Sequence, residues 1–218
     1  MPDMDTRINK IRKTAGRRPY DRDALPSRIR LLDVAEELFA DQGYAATSIR
    51  EVAERANVNP AMIHYHFGSK HELMGAVLDR ALKPLMRIIA QHNSEGSTDL
   101  IQVVGRIFDM ANSHPAIPRL LVREVMLSGG PLRERFVKHY APRLGGALPA
   151  LIAKQRDSAA LDKALEPGPL AIMLLSLAIF PHVAKPLSER VLTLDVSGED
   201  QDRYREQLAL FIRKGIAP

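Results

Sequence analysis

Three histidines near residue 65 are the first side chains in this 218-residue chain that could do chemistry. Imidazole is a metal ligand and a general base, so His64, His66 and His71 suggest either a metal site or a catalytic site. However, residues two positions apart do not face each other on a helix. The chain contains no cysteine, and no carboxylate completes a ligand set at a spacing typical of zinc. The histidines are better explained as packing residues or as residues that face a partner, and no metal is predicted.

No catalytic signature accompanies these histidines. The sequence lacks a G-x-S-x-G motif, a Walker A motif and a G-x-G-x-x-G motif. The four histidines at 92, 114, 139 and 182 are scattered, and the glycine pairs at 129–130 and 145–146 are typical of helix ends. The sequence therefore predicts neither an enzyme nor a bound cofactor.

The stretch 47–70 holds two of these histidines and predicts two short helices followed by the start of a third. Ser48 with Glu51 and Ser69 with Glu72 have the S-x-x-E spacing of a capping box, so a helix begins at each serine. Asn57 occupies the end of the first short helix, because asparagine tolerates the left-handed conformation found there.

The second short helix is predicted to begin at Asn59 and Pro60. Asparagine caps a helix well, and proline is favoured in the first turn because the amide it lacks would have no helical partner. Ile63 and Phe67 are four residues apart and can face the core, while Val58 can fill the angle between the two helices. Two such helices with a short turn form a helix-turn-helix, whose second helix enters the major groove of DNA.

These residues resemble the TetR family of bacterial transcriptional regulators. The resemblance rests on TSIREVA at 47–53, NVNP at 57–60 and IHYHFGSK at 63–70, and it continues back through LLDVAEELF at 31–39 and Gly43-Tyr44. It departs from the family at Asn57, where glycine is usual, and at His64, where tyrosine is frequent. The residues predicted to hold DNA phosphates are Thr47, Ser48, Arg50, Tyr65 and Lys70, and those predicted to lie against base edges are Pro60, Ala61 and His64.

The net charge of +5 is concentrated in the leading segment. Residues 7–30 hold nine lysines and arginines against two acidic residues, whereas residues 31–80 hold four basic and eight acidic residues. Residues 1–26 lack apolar periodicity, which predicts a disordered basic arm. Arg17 and Arg18 are candidates for phosphate or minor-groove contact. The alternative is a solvated tail that aids solubility.

The rest of the chain predicts an all-α fold of about nine helices. A first helix is expected at about 27–42, a fourth from Lys70 with a kink or break at Pro84, and further helices at about 99–113, 117–127, 132–157, 169–185 and 201–214, with a loop at 187–199. The predicted domains are the arm at 1–26, a three-helix DNA-binding domain at 27–73, and a helical ligand-binding and dimerisation domain at 74–218.

The family resemblance implies a small-molecule effector and a homodimer. The candidate ligand-binding residues are apolar or aromatic side chains of the middle helices, which could equally be plain core: Phe108, Met126, Phe136, Tyr140, Met173 and Phe180. Dimerisation is expected through the two long helices at 169–185 and 201–214. A short reader helix reaches few base pairs, which also favours a dimer on a palindrome.

The predicted function is a ligand-responsive repressor that binds a double-stranded DNA operator. The alternative is a protein that keeps the fold for partner binding or a structural role without sequence-specific DNA binding, and the acidity of residues 31–80 is its only support. The absence of cysteine, of an apolar leader and of a run of about 20 apolar residues leads us to expect a cytoplasmic protein with no membrane partner.

Overall fold

The computed structural model describes residues 24–95, 99–127, 131–158 and 160–216, and it is helical throughout, with no strand among those residues. The N-terminal part contains α1 (Ala24–Gln42), α2 (Ile49–Arg55), α3 (Ala61–Phe67) and the beginning of α4 (Lys70–Glu95). Leu31, Ala35 and Phe39 form a fully buried stripe on α1, against which Ile63 of α3 packs. The apolar spacing in the sequence thus becomes the core of a small three-helix head.

The remaining described helices build the C-terminal part. A π-helical turn at Val122–Leu127 directly continues the helix before it. The helices are α5 (Leu100–Ser113), α6 (Ala116–Leu121), α7 (Pro131–His139), α8 (Ala141–Leu144), α9 (Ala147–Asp157), α10 (Pro167–Val183), α11 (Lys185–Val191) and α12 (Gln201–Ile216).

Two hydrophobic clusters hold these helices together. The first contains the head, most of the buried face of α4, and residues from α6, the π-helical turn and α7. The second joins α5, α9, α10 and α12 around Phe108. Met110 and Leu144 pack against both clusters. The head therefore shares a continuous apolar core with α6 and the π-helical turn.

The all-α prediction is confirmed, but the described residues contain more helices than the nine predicted. The helical segment predicted at 132–157, which Pro142, Gly145-Gly146 and Pro149 led us to expect bent or split, divides into three helices, with breaks at Tyr140 and at Gly145-Gly146. The loop predicted at 187–199 is helical in its first five residues, which belong to α11. This helix has a proline at its second position, where proline is favoured. In contrast, α4 runs unbroken through Pro84. Of the kink or break predicted at that residue, the break is wrong and the kink stays a prediction.

Among the described residues, no single helix is long and apolar enough to cross a membrane, although α10 and α11 together have that length and composition across a 76° bend.

Candidate nucleic-acid interface

Side-chain caps fix the ends of α2, α3 and α4 as the sequence predicted. The Ser48 Oγ accepts a hydrogen bond from the Glu51 amide at 3.0 Å, and the Ser69 Oγ accepts one from the Glu72 amide at 3.1 Å. The Asn59 Oδ1 accepts a hydrogen bond from the Ala61 amide at 2.9 Å. Each cap satisfies an amide that the first turn of a helix leaves without an intrahelical partner.

The turn between α2 and α3 depends on Asn57, whose φ of 53° is left-handed. This conformation reverses the chain while Val58 donates its amide to the Ala53 carbonyl at 3.0 Å and packs partly buried against the head. Asparagine can replace glycine here because its short polar side chain makes the left-handed region accessible. The departure from the family pattern at this position therefore leaves the turn intact.

The α3 helix presents one buried face and one exposed face. Met62 and Ile63 are buried, whereas Ala61, His64 and Tyr65 are exposed, Tyr65 to 67%. The Nδ1 of His64 lies 3.0 Å from the Gly68 carbonyl oxygen at the end of the helix. An exposed aromatic ring of this size on a short polar helix is available to a partner.

The other side of α3 is anchored to α1. The Nε2 of His66 lies 3.0 Å from the Oγ of buried Ser27, and the Arg28 guanidinium lies over the Phe67 ring at 5.2 Å. Burial lowers the pKa of His66, and the charge of Arg28 lowers it further. His66 is thus a packing residue that fixes the orientation of α3, while His64 faces solvent.

The predicted phosphate-holding residues of α2 and α4 lie in different environments. Ser48 is exposed, and Arg50 is exposed while paired with Glu54 at 2.8 Å. The Lys70 Nζ lies 4.4 Å above the centre of the Tyr44 ring and donates to the Ala45 carbonyl oxygen at 3.3 Å. Lys70 therefore also stabilises the loop before α2.

Thr47 does not offer its side chain to a partner. It is buried, and its hydroxyl lies within hydrogen-bonding distance of two carbonyl oxygens, that of Gly43 at 2.8 Å and that of Leu38 at 3.3 Å. The prediction that Thr47 holds a phosphate is therefore corrected: its hydroxyl closes the turn after α1. Arg17 and Arg18 lie outside the described residues.

The six predicted ligand-binding residues are not brought together. Phe108 is fully buried in the second cluster, whereas Phe136 and Tyr140 belong to the first, where the Tyr140 hydroxyl donates to Asp79 at 2.6 Å. Three others, Met126, Met173 and Phe180, each expose 60% or more of their surface. Apolar residues at helical spacing occupy cores and exposed faces alike, so their type alone did not locate a pocket.

A polar cavity of about 330 Å³ lies where the head meets α5 and α6. Its floor is the buried Glu36 carboxylate, which accepts a hydrogen bond from Arg80 at 2.6 Å and lies 3.1 Å from the His114 Nδ1. Burial raises the pKa of Glu36, but the hydrogen bonds with His114 and Arg80 outweigh this and leave it lowered. No group of three or more potential metal ligands occurs in the described part of the chain.

Comparisons with known proteins agree with this geometry. Residues 31–77 match the family model described as bacterial regulatory proteins, tetR family. Over these residues the chain is similar to this family. The match covers residues 31–42 of α1, all of α2 and α3 with the turn between them, and the first residues of α4.

Relatives and solved structures extend the likeness. The chain is similar to the HTH-type transcriptional repressor Rv3405c of Mycobacterium tuberculosis, with 44% identity over 72 residues, which is 33% of this chain and 37% of the relative. It is 25% identical to the repressor SCO4008 of Streptomyces coelicolor over 78% of this chain and 85% of that protein.

The ketosteroid transcriptional regulator KstR2 of Mycobacterium tuberculosis superposes with a TM-score of 0.68 at 16% identity, covering 88% of this chain and 95% of that one, which establishes the fold. The sequence match with Rv3405c, in contrast, spans only about a third of the length of that relative. The names of these proteins are those of regulators, in agreement with the prediction that this chain is not an enzyme.

Proposed function

We propose that this protein is a ligand-responsive transcriptional repressor that binds a palindromic DNA operator as a homodimer. The observation that carries the proposal is the exposed face of α3, where Pro60, Ala61, His64 and Tyr65 lie together on a helix capped at its start and anchored at its back. A recognition helix contacts base edges with its N-terminal residues, and Pro60 and Ala61 occupy that end.

Phosphate contacts are assigned to the residues that flank this face. Ser48 and Arg50 lie at the start of α2, and Tyr65 and Lys70 follow on α3 and α4. Contacts of this kind set the register and the affinity of the complex, and base contacts add the sequence preference. The basic segment that contains Arg17 and Arg18 would add further phosphate or minor-groove contacts.

The length of α3 favours a dimer. Its seven residues span about 10 Å, or about three base pairs, which is too little for a unique site in a genome. Exposed apolar side chains on the outer faces of α10 and α12 support dimerisation there: Ile172, Met173, Phe180, Leu210 and Phe211. A two-fold interface through these helices would present two copies of α3 to the two halves of a palindrome.

A small hydrophobic molecule is the effector class that we propose. KstR2 is named a ketosteroid regulator, and the two chains share a fold. The ring of buried His182 is tilted by 47° from that of Phe108 in the second cluster, with the ring centres 5.1 Å apart, and its Nε2 has no hydrogen-bond partner among the described residues. An apolar site with one free polar group suits a largely apolar ligand with a polar end.

The alternative is a TetR-fold protein without sequence-specific DNA binding. Its support is the excess of acidic residues at 31–80, although ion pairs such as those of Arg80 with Asp33 and Glu36 neutralise part of it. A gel shift with the promoter region of the protein's own gene separates the two. A retarded band that resists unrelated competitor DNA supports the repressor, and a band that this competitor removes favours the alternative.

A further inference from the structure

Two neighbouring side chains of the π-helical turn reach into the head and hold the end of α1. Both terminal nitrogens of Arg123 donate to main-chain carbonyls, Nη1 to Asp41 at 2.8 Å and Nη2 to Gln42 at 2.7 Å. The Glu124 Oε1 accepts a hydrogen bond from the Tyr44 amide at 3.0 Å. We call these three hydrogen bonds the clasp.

The clasp satisfies groups that the end of a helix leaves without partners. The last four carbonyls of an α-helix have no intrahelical donor, and Asp41 and Gln42 are the last two residues of α1. A guanidinium there also interacts favourably with the negative end of the helix dipole. Arg123 therefore caps α1 from more than 80 residues away in the sequence.

Gly43 has no side chain, and this leaves room for the Arg123 guanidinium. Its φ is +91°, and a Cβ at this residue would lie 2.8 to 2.9 Å from the Nε, Cζ and Nη2 of Arg123. Any side chain at residue 43 would meet both a strained backbone and the Arg123 side chain. The glycine that follows α1 thus also leaves the space that the Arg123 side chain of the clasp occupies.

The segment held by the clasp continues directly into the DNA-facing elements. The Tyr44 ring lies beneath Lys70, and the next carbonyl, that of Ala45, accepts the Lys70 hydrogen bond. Thr47 then closes the turn, and Ser48 caps α2. Displacement of Tyr44 would therefore change the position of two elements that flank α3: Lys70 at the start of α4, and the first residues of α2.

Both side chains of the clasp belong to a segment with π-helical rather than α-helical backbone. The π-helical turn at Val122–Leu127 follows α6, and single π-helical turns within helices frequently lie at functional sites. Val125 of the same turn is buried in the cluster that contains the head. A change between π and α winding would rotate these side chains about the helix axis, so the clasp depends on the register of this turn.

From these contacts we propose that Arg123 and Glu124 are positioning residues for DNA binding. They fix the head relative to α6, and they thereby set the spacing between operator half-sites that the dimer accepts. This inference rests on the proposed function. The two residues act through the loop at 41–45 and touch no base. A shift in the winding of the π-helical turn would release the head without altering α3 itself.

Arg119 provides a matched control. It lies one turn before Arg123 and pairs with the Asp41 side chain at 3.2 Å, both groups being substantially exposed. Surface pairs of this kind contribute little. The variants are Arg123→Met, Glu124→Ala and the control Arg119→Met, with Arg123→Lys and Glu124→Gln as milder versions should the first two melt at lower temperature.

The first measurement needs no DNA. Hydrogen exchange of the peptide that covers residues 41–47 is followed by mass spectrometry in the full-length protein. We expect exchange to be at least tenfold faster in Arg123→Met and Glu124→Ala than in wild type, and unchanged in Arg119→Met. Equal exchange in all four proteins would overturn the clasp.

The second measurement compares operators. Each protein is titrated against the operator, against the same operator with one base pair inserted between the half-sites, and against a single half-site. Wild type and Arg119→Met should lose affinity on insertion. The clasp variants should discriminate at least tenfold less between the two operators, with any loss of half-site affinity shared equally by both. Faster exchange with unchanged discrimination would overturn the positioning role. Failure of wild type to prefer any operator would instead overturn the proposed function, and the exchange experiment would still test the clasp.

Discussion

Phe211 on α12 gives the sharpest test of the proposed dimer. It exposes 65% of its surface in the single chain. An aromatic residue carries about 150–250 Å², so about 100–160 Å² of apolar surface would be covered by a partner. At about 25 cal/mol per Å², this burial contributes about 3 kcal/mol per protomer. A residue in a two-fold interface counts twice, so complete burial would stabilise the dimer by at most about 6 kcal/mol, or about four powers of ten in its dissociation constant.

The Phe211→Asp substitution removes this burial and places a charge in an apolar interface, which adds a desolvation cost. Since the residue is exposed in the single chain, the fold of each protomer should survive. We therefore expect a monomer at micromolar concentrations where wild type is a dimer. Sedimentation equilibrium gives the dissociation constants, and circular dichroism confirms that the helices remain.

Val137 of α7 is the matched control, because it is also an exposed apolar residue, at 56%, but lies on neither α10 nor α12. The Val137→Asp variant should dimerise like wild type. A wild-type monomer at micromolar concentration would refute the reasoning. A Phe211→Asp variant that dimerises as tightly as wild type would place the interface elsewhere.

Three further predictions test the head, the arm and the second core. Tyr65→Ala and Lys70→Ala should each weaken operator binding about ten- to a hundredfold at fixed salt while the fold survives, because a contact to a charged group contributes about 1.5–3 kcal/mol. Unchanged affinity in both variants would contradict the assignment. Deletion of residues 1–18 removes six basic residues. The slope of log affinity against log salt concentration should become shallower by about 1–3 per subunit, at about 0.9 per phosphate contact, and the preference for A·T-rich flanks should fall. An unchanged slope would identify a solubility tail. Burial, with a smaller contribution from Lys185, lowers the pKa of His182 from 6.5 to about 4. The unfolded chain therefore binds the proton more tightly, and the free energy of unfolding should fall by about 3 kcal/mol from this group as the pH drops from 6.5 to 4. A His182→Asn variant should lack that part of the loss in urea unfolding at the two pH values, and an identical pH profile would argue against a buried neutral imidazole.

The head could be predicted from the sequence because its signals are local. The Ser48 and Ser69 caps join residues three apart, and the left-handed Asn57 depends on residue type at one position. Such signals do not need the rest of the fold. Burial of Thr47 was missed, because a threonine before a helix can equally face solvent or close the preceding turn.

The contacts between the head and the C-terminal part could not be predicted in this way. Arg123 meets residues 81 and 82 positions earlier, and Glu124 meets one 80 positions earlier. Periodicity carries no information about such distant pairs. The apolar α10 likewise does not reveal its faces, since Met173 is exposed while Leu174 beside it is buried. The winding of the π-helical turn also left no signal in the apolar spacing.

Sequence-specific DNA binding is the central claim, and a fluorescence anisotropy titration of the full-length protein tests it most directly. The labelled probe is the promoter region of the protein's own gene, titrated at physiological salt beside a scrambled duplex of the same length and composition. The proposed repressor should bind the promoter at least about a thousandfold more tightly than the scrambled duplex, which is the lower end of specific recognition. Equal affinity for the two duplexes would contradict it.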